Sequence, residues 1–317
     1  MSEKPIHNID LKQLLTNSQL PALPQSAIRL LELSKDPEIG PSEFALPIES
    51  DPGLTGQVLK FVNSSYFGFS REISNVKLAV NLVGMRTIKN FALWSAVFSL
   101  MPNPQCGPFD LKTLWQDSLR RALFARKIAS ILEEEIAEEV FSAALLQDMA
   151  IPLLAKEAPK VYATLLAARV ERKARLSAME RKIFGWTHCQ AAAMMCSMWN
   201  LPQIFSDILT EHEAIDKWSD SVDENPGSFA VAISALLPSN IDEGWDECDL
   251  FIKTYEEAQH LGLPAVEEIL ETIDEEFEEF APVLKIAIPA KTLCAFFEAR
   301  MSGEKIEETS QPQTTEA

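Results

Sequence analysis

Residues 141–150 read Phe141-Ser142-Ala143-Ala144-Leu145-Leu146-Gln147-Asp148-Met149-Ala150, an apolar run that carries one polar pair. Because apolar residues recur here at intervals of three and four, we expect a helix over Ala137–Met149. A carboxylate beside a neutral imidazole can hold a hydrolytic metal ion, whereas the amide oxygen of Gln147 is a weak ligand. The stretch therefore predicts a buried helix that carries one carboxylate next to a weak amide ligand.

The same helical spacing extends over almost the whole chain, and alternating β-branched runs are scarce. We therefore predict an all-α protein with few or no strands. The strongest break is residues 101–108, which hold three prolines and one glycine, and we place a sub-domain boundary there. The expected order is a lead-in (1–14), an N-terminal helical sub-domain (15–105) packed on a helical bundle (109–240), an acidic helical extension (241–300) and a disordered tail (301–317).

Capping signals locate individual helix ends. Asp51 can accept a hydrogen bond from the amides of a first turn, and Pro52 loses nothing at the first helical position. Ser42 is a candidate N-cap for the preceding helix, which Pro47 should bend or end early. The other predicted helices are 11–15, 25–34, 76–83, 85–100, 111–132, 158–170, 177–184, 188–199, 203–211, 228–237 and 267–280.

The charge balance argues against nucleic acid as a partner. Lys and Arg total 28 against 47 Asp and Glu, a formal net charge of −19, and an acidic surface repels phosphate backbones. Two basic stretches, 120–127 and 169–175, are interpreted as solvated helix faces. No apolar run approaches the roughly 18 residues of a membrane span, and the N-terminus lacks the apolar core of a secretory signal. We expect a cytoplasmic protein without a membrane or nucleic-acid partner.

The cysteines are Cys106, Cys189, Cys196, Cys248 and Cys294. They form no CxxC or histidine-spaced zinc pattern, so we expect reduced, mostly buried thiols. Cys189 and Cys196 fall on one side of a helix, but two thiols alone make a poor metal site, and packing is the favoured role. Cys189 also follows His188 directly. Because neighbours on a helix point about 100° apart, we do not expect a productive thiolate–imidazole contact between them.

Three N-terminal motifs carry a resemblance. They are Leu20-Pro21-Ala22-Leu23-Pro24, Glu49-Ser50-Asp51-Pro52-Gly53-Leu54-Thr55, and Leu59-Lys60-Phe61-Val62-Asn63-Ser64-Ser65-Tyr66-Phe67-Gly68. With Ile73 and residues 79–84, they resemble the HDOD family, the HD-related output domain of bacterial signalling proteins. The resemblance extends from about Leu20 to His212 and implies an HD-like helical bundle in the second half of the chain.

Two segments of that bundle resemble metal-binding segments of HD proteins. Asp117 lies where HD proteins place their first ligand histidine. Residues 144–150 are similar to the segment Gly-Leu-Leu-His-Asp-Ile-Gly, with Asp148 retained and the histidine replaced by Gln147. Both glycines of that segment are alanines here.

The remaining ligand positions are also incomplete. His188 keeps a third histidine, and His212 keeps the second member of a His-His pair whose first member is Glu211. Residues 230–239, where an HD enzyme would offer its last ligand aspartate, contain no carboxylate. A two-metal clamp needs more ligands than remain. The resemblance therefore implies no catalytic residues, no cofactor and no metal ion.

If an ion binds at all, the vestigial positions are Asp117, Gln147, Asp148, His188 and His212. We favour a hydrogen-bonded polar cluster in which Gln147 serves as donor and acceptor. The expected function is a non-catalytic cytoplasmic signal-transduction module that acts by contact with an unknown signalling protein. The alternative is a divergent metal-dependent phosphohydrolase acting on a nucleotide or a phosphomonoester.

Overall fold

The computed structural model describes residues 10–18, 20–172, 174–282 and 284–303, without the side chains of Tyr66 and Arg172. Within these ranges every regular element is helical, which confirms the all-α prediction. The α-helices are α1 (Leu11–Asn17), α2 (Gln25–Leu33), α3 (Pro41–Glu49), α4 (Pro52–Val62), α5 (Val76–Val83), α6 (Met85–Leu100), α7 (Leu111–Leu132), α8 (Ala137–Leu145), α9 (Ala150–Glu157), α10 (Pro159–Arg172), α11 (Leu176–Phe184), α12 (His188–Met198), α13 (Gln203–Leu209), α14 (Ile215–Ser219), α15 (Pro226–Ser234), α16 (Cys248–Ala258), α17 (Val266–Phe280) and α18 (Leu293–Ser302).

Three short 3₁₀ helices lie at Ser65–Phe67, Glu134–Ile136 and Gln259–Leu261. The first nine residues of the expected lead-in and the expected disordered tail from residue 304 onward lie outside the described residues.

A side-chain cap begins α4 at Asp51, as the capping signal predicts, and two further helices have caps of the same kind. Asp51 accepts a hydrogen bond from the backbone N–H of Leu54 and Pro52 is the first residue of α4. Asn75 and Asp110 cap α5 and α7 in the same way. These bonds satisfy amides that have no partner inside the helix.

The helix α3 differs from its prediction at its start. Its N-cap is Gly40, with Pro41 at the first helical position, so Ser42 already lies inside the helix. The helix passes through Pro47 and ends at Glu49. Pro47 is buried in the core, and this burial offsets the backbone hydrogen bond that its ring removes.

The N-terminal helices pack against one another and also against the second half of the chain. The helices α2 to α6 contact one another in turn, and α6 also contacts α8. The indole Nε1 of Trp199 donates to the carbonyl oxygen of Pro21 at 2.8 Å. One continuous apolar core therefore runs through both halves of the described chain.

The long helix α7 is the centre of the second half. It packs against α8, α15 and α17, so even polar side chains on several of its faces are buried. The acidic helix α17 buries Ile269, Leu270, Ile273, Phe277 and Phe280. Its Glu276 accepts from Arg126 of α7 at 2.8 Å. This extension therefore docks on the bundle of its own chain.

Four of the described helices are not predicted from the sequence pattern: α9, α14, α16 and α18. None of the helices in the described ranges is long and apolar enough to cross a membrane.

Candidate functional site

The pair Gln147-Asp148 lies in a tight turn between α8 and α9, over residues 146–149. The backbone N–H groups of Leu146 and Gln147 bond to carbonyl oxygens three residues earlier, at 3.0 Å and 3.3 Å. Such bonds take the chain off the α-helical path. The prediction of one helix over 137–149 is therefore wrong in its last turn.

Arg121 of α7 supplies the main positive charge at this turn. Its Nη1 donates to Asp148 Oδ2 at 2.6 Å, and only 13% of the Arg121 side chain is exposed. The interpretation of residues 120–127 as a solvated face is wrong, because Arg120 and Arg126 are buried as well. Helices cover α7 on several sides, and the arginines bond to acceptors on distant segments of the chain.

His188 approaches the other oxygen of Asp148. It is the first residue of α12, whose capping box joins Thr187 and Gln190. Its Nδ1 lies 2.7 Å from Glu180 Oε2, and its Nε2 lies 3.4 Å from Asp148 Oδ1. An ionised carboxylate only accepts, so Glu180 orients the imidazole with the Nδ1 proton outward.

His212 approaches the same carboxylate oxygen from the end of α13. Its Nδ1 donates to the carbonyl oxygen of Leu209 at 3.0 Å, and its Nε2 lies 3.7 Å from Asp148 Oδ1. Both imidazoles are buried. The structure thus brings together three of the predicted positions: Asp148, His188 and His212.

Cys189 is the unexpected member of this cluster. Its Sγ lies 3.8 Å from His188 Nε2 and 3.8 Å from His212 Nε2. The sequence analysis expects no productive thiolate–imidazole contact between Cys189 and His188, but the structure brings the two side chains within 3.8 Å of each other. The helical angle of about 100° separates their Cβ directions, but both side chains turn toward a third group, His212, which lies in the turn after α13.

Asp117 lies beside the site but bonds elsewhere. Its carboxylate accepts from the backbone N–H and the side-chain amide of Asn240, at 2.9 Å and 2.8 Å, and also from the hydroxyl of Ser239. These bonds fix the loop after α15 against α7. Asp117 therefore positions the loop after α15, which lines the site, and does not contact the histidines.

Gln147 does not act as the predicted donor and acceptor. Its side chain is fully buried, and neither amide atom has a hydrogen-bond partner among the described residues. The tight turn presents the neighbouring Asp148 to the histidines and leaves the Gln147 amide out of the cluster.

The electrostatics of the cluster favour charged side chains. Burial alone would raise the pKa of Asp148, but the charge of Arg121 and the contacts with the two imidazoles hold it well below its ordinary value. Burial would lower the pKa of His212, but Cys189 and Asp148 raise it to about 10. Burial would likewise raise the pKa of the Cys189 thiol, but the two imidazoles lower it to about 6.

A cavity of about 130 Å³ opens onto this cluster. Asp117, Arg121, Asp148 and His188 line it together with residues 235–239, 241, 242 and 245–247. At its rim Arg169 and Arg175 pair with Asp242 and Glu247, at 2.8 Å and 2.6 Å. The basic stretch 169–175 is therefore not a solvated face either, since two of its arginines close the cavity rim.

A centre with two metal ions does not fit these residues. A carboxylate that bridges two ions uses both of its oxygens, and Asp148 gives Oδ2 to Arg121. Both oxygens of Asp117 accept hydrogen bonds from the loop after α15. A single ion does fit, because the donor atoms of His188, Cys189 and His212 all lie within 4.8 Å of one another.

Sequence reasoning did not find Arg121, Glu180, Cys189 and Glu213. One signal was available for Arg121, which follows Asp117 by four residues and so shares its helix face. Glu180 and Glu213 reach His188 across other elements, and no local pattern marks such a contact.

Comparisons with known proteins agree with this architecture. The chain is similar to an HDOD domain protein of unknown function from Geobacter sulfurreducens, with 22% identity, a TM-score of 0.56, and coverage of 84% of this chain and 99% of that chain. It is also similar to a protein of Shewanella amazonensis SB2B that is provisionally named a phosphohydrolase, with 20% identity, a TM-score of 0.60, and coverage of 94% and 96%. These identities support the fold alone.

Two further similarities cover less of the other protein. A provisionally named signal transduction protein of Marinobacter aquaeolei VT8 shares 19% identity, with a TM-score of 0.62 and coverage of 90% of this chain and 61% of that chain. An uncharacterized protein of Treponema pallidum (strain Nichols) is 22% identical over 185 residues, which are 58% of this chain and 36% of that protein. The chain thus matches about a third of the length of this curated relative.

A model of the HDOD domain matches residues 20–215. This range includes the N-terminal motifs, the Asp148 turn and both histidines. Because the match spans more than half of the chain, the chain belongs to the HDOD domain family.

Proposed function

We propose that this protein is a non-catalytic regulatory module that acts through contact with another protein. The observation that carries the proposal is the buried ion pair between Arg121 and Asp148, at 2.6 Å. A fixed guanidinium neutralises the carboxylate at which an HD-type hydrolase would place a metal ion. Unlike a metal ion, a guanidinium has no coordination position for water.

The residues around this ion pair also argue against metal-assisted hydrolysis. Hydrolysis assisted by metal ions requires an open coordination position and an activated water. Position 147 offers an amide in place of an imidazole, and the oxygens of Asp117 are taken by Ser239 and Asn240. The remaining donors are too few to clamp both the attacking and the leaving oxygen of a phosphate ester.

The second candidate is a divergent metal-dependent phosphohydrolase. It is favoured by the convergence of His188, His212 and Asp148 Oδ1 at 3.4 Å and 3.7 Å. A similar structure from Shewanella amazonensis SB2B also carries the provisional name of a phosphohydrolase. The cavity beside the cluster could admit part of a small phosphorylated substrate.

Turnover assays separate these candidates. The full chain and its Asp148→Asn variant are assayed with nucleotides, phosphomonoesters and cyclic dinucleotides in the presence of Mn²⁺, Fe²⁺ or Mg²⁺. We expect the same background rate for both proteins. Turnover by the wild-type chain that disappears in the variant would overturn the proposal and establish the phosphohydrolase.

An exposed apolar surface offers a place for the proposed contact. Leu78 and Leu82 follow one another by one helical turn on α5, and they are 40% and 47% exposed. Leu46 of the adjoining α3 is 60% exposed. Grouped apolar side chains of this size on a surface are typical of sites that bind another protein.

The contact is tested in an extract of the native host by cross-linking and quantitative mass spectrometry. The double variant Leu78→Glu/Leu82→Glu should keep its helical content and lose proteins that the wild-type chain captures. Ile288→Glu is the matched control, because Ile288 is 55% exposed but lies outside α3 and α5. An identical set of captured proteins for all three chains would contradict a role of this surface in binding another protein.

A further inference from the structure

Four donor atoms lie close together beside the cavity, which two of their residues, Asp148 and His188, also line. They are Cys189 Sγ, His188 Nε2, His212 Nε2 and Asp148 Oδ1. The sulfur lies 3.8 Å from each imidazole nitrogen, and the carboxylate oxygen lies 3.4 Å and 3.7 Å from them. All four side chains are buried.

The outer contacts of both imidazoles direct their Nε2 atoms inward. The Nδ1 of His212 donates to the carbonyl oxygen of Leu209, and the Nδ1 of His188 bonds to Glu180. Glu180 is itself fixed by the hydroxyl of Tyr162 at 2.7 Å. Metal-binding histidines characteristically donate their second nitrogen to a carboxylate or a backbone carbonyl in this way.

The geometry points to a single zinc-class divalent ion held by Cys189, His188, His212 and Asp148. Zinc bonds of about 2.0–2.1 Å to nitrogen and oxygen and about 2.3 Å to sulfur, arranged as a tetrahedron, separate nitrogen from oxygen by roughly 3.3 Å and nitrogen from sulfur by roughly 3.6 Å. The two sulfur–nitrogen and the two oxygen–nitrogen separations given above exceed these values by a few tenths of an ångström at most. Small side-chain movements therefore complete the site.

The donor types select the ion. Two imidazoles and a thiolate favour zinc over magnesium or manganese, which prefer oxygen ligands. Because four protein ligands close a tetrahedral zinc site, the ion would hold α12, the turn after α13 and the Asp148 turn together. Arg121 bonds to the other oxygen of Asp148 and keeps that ligand in place.

Metal binding by the full chain tests this site. The purified protein is stripped with a chelator and titrated with Zn²⁺, and with Co²⁺ as a spectroscopic probe. We expect one ion per chain, a thiolate-to-cobalt charge-transfer band, and X-ray absorption of the zinc form that contains one sulfur ligand at about 2.3 Å. Zinc should also raise the melting temperature, because it binds the folded chain.

Cys189→Ala and Cys196→Ala form a matched pair of variants. Both cysteines are buried in α12, but Cys196 lies outside the donor cluster. We expect Cys189→Ala to lose the charge-transfer band and at least about tenfold in zinc affinity, as even outer contacts of metal ligands contribute 10–100-fold. Cys196→Ala should keep both.

Three results would overturn the site: no stoichiometric zinc on the wild-type chain, zinc without a sulfur ligand, or unchanged zinc affinity in Cys189→Ala. The wild-type absorption spectrum decides the question even if a variant does not fold. These readouts are independent of turnover, so the zinc site and the proposed regulatory function can fail separately.

Discussion

The Arg121–Asp148 pair makes a testable contribution to stability. Removing the guanidinium in Arg121→Met leaves the Asp148 carboxylate buried without its strongest partner. Breaking one side of a buried ion pair costs about 3–5 kcal/mol. We expect a loss of this size in the free energy of unfolding, measured by urea denaturation of the metal-free protein.

A double-mutant cycle separates the pair from the cavity that each substitution leaves. Arg121→Met/Asp148→Asn should be less destabilised than the sum of its single variants, because neither side then leaves an unpaired charge. Lys127→Met on the same helix is the control and should cost less than about 0.5 kcal/mol. Additive effects of the two single substitutions would contradict a direct ionic coupling.

The cap of α4 gives a prediction with a defined pH dependence. Asp51 accepts from the backbone of Leu54 and the hydroxyl of Ser26, at 3.0 Å and 2.8 Å, and these bonds lower the pKa of its carboxyl. Replacing Asp51 with Ala should cost about 1 kcal/mol. The ionic part is present above the ordinary pKa of 3.8 and is lost as the pH falls through the lower folded value.

The Asp51→Asn variant isolates that ionic part. Its amide oxygen can still cap the helix, so the wild-type advantage over it should be present at pH 7 and shrink below pH 4, as the folded carboxyl takes up its proton. Thermal unfolding of the three chains between pH 3 and pH 7 measures the effect. A constant difference across this range would exclude a contribution from the carboxylate charge.

Single residues of the site were predictable to different degrees. The resemblance identified Asp148, His188 and His212, because they occupy matching positions in a motif. Arg121 and Asp148 are 27 residues apart in the chain, and no local sequence pattern indicates which arginine pairs with Asp148. Helix geometry alone argues against a contact between Cys189 and His188, because it describes one helix and not the turn after α13 that brings His212 to them.

At the scale of elements, docking of α17 should contribute strongly to stability. Ile273 is fully buried on the apolar face of this helix, whereas Glu275 is exposed on the other side. Truncation of a buried isoleucine to alanine costs about 2–5 kcal/mol. We expect Ile273→Ala to lower the free energy of unfolding by this amount, and Glu275→Ala to change it by less than about 0.5 kcal/mol.

Chemical denaturation monitored by circular dichroism checks this comparison. Equal effects of Ile273→Ala and Glu275→Ala would mean that α17 does not pack on the bundle in solution. A change in the denaturant slope for Ile273→Ala alone would indicate that α17 separates from the bundle before the rest unfolds.

Helix boundaries were predictable where a side chain or a glycine marks them. α6 and α7 have the predicted bounds, Met85–Leu100 and Leu111–Leu132. Gly84 at φ 87° separates α5 from α6, a backbone conformation that suits glycine. The turn at 146–149 carries no glycine or proline, so nothing in its composition distinguishes it from a continuing helix.

At the scale of the whole molecule, aromatic contacts join the N-terminal helices to the later helices of the chain. The ring of Phe280 of α17 lies 6.1 Å from that of Phe61 in α4 and 5.9 Å from that of Phe141 in α8. The proline-rich break at 101–108 is the predicted sub-domain boundary, but it does not indicate that the later helix α17 packs against helices on both sides of it.

These shared contacts predict one cooperative unfolding transition for the chain. Far-ultraviolet circular dichroism follows all helices, and tryptophan fluorescence follows indoles buried in both halves, such as Trp94 and Trp245. The two signals should change at the same temperature, because separating the halves exposes the rings around Phe280. Phe280→Ala should lower that temperature by removing about 3–5 kcal/mol of packing and should split the transition if Phe280 is the main link. Two separate transitions in the wild-type chain would mean that the sub-domains unfold independently.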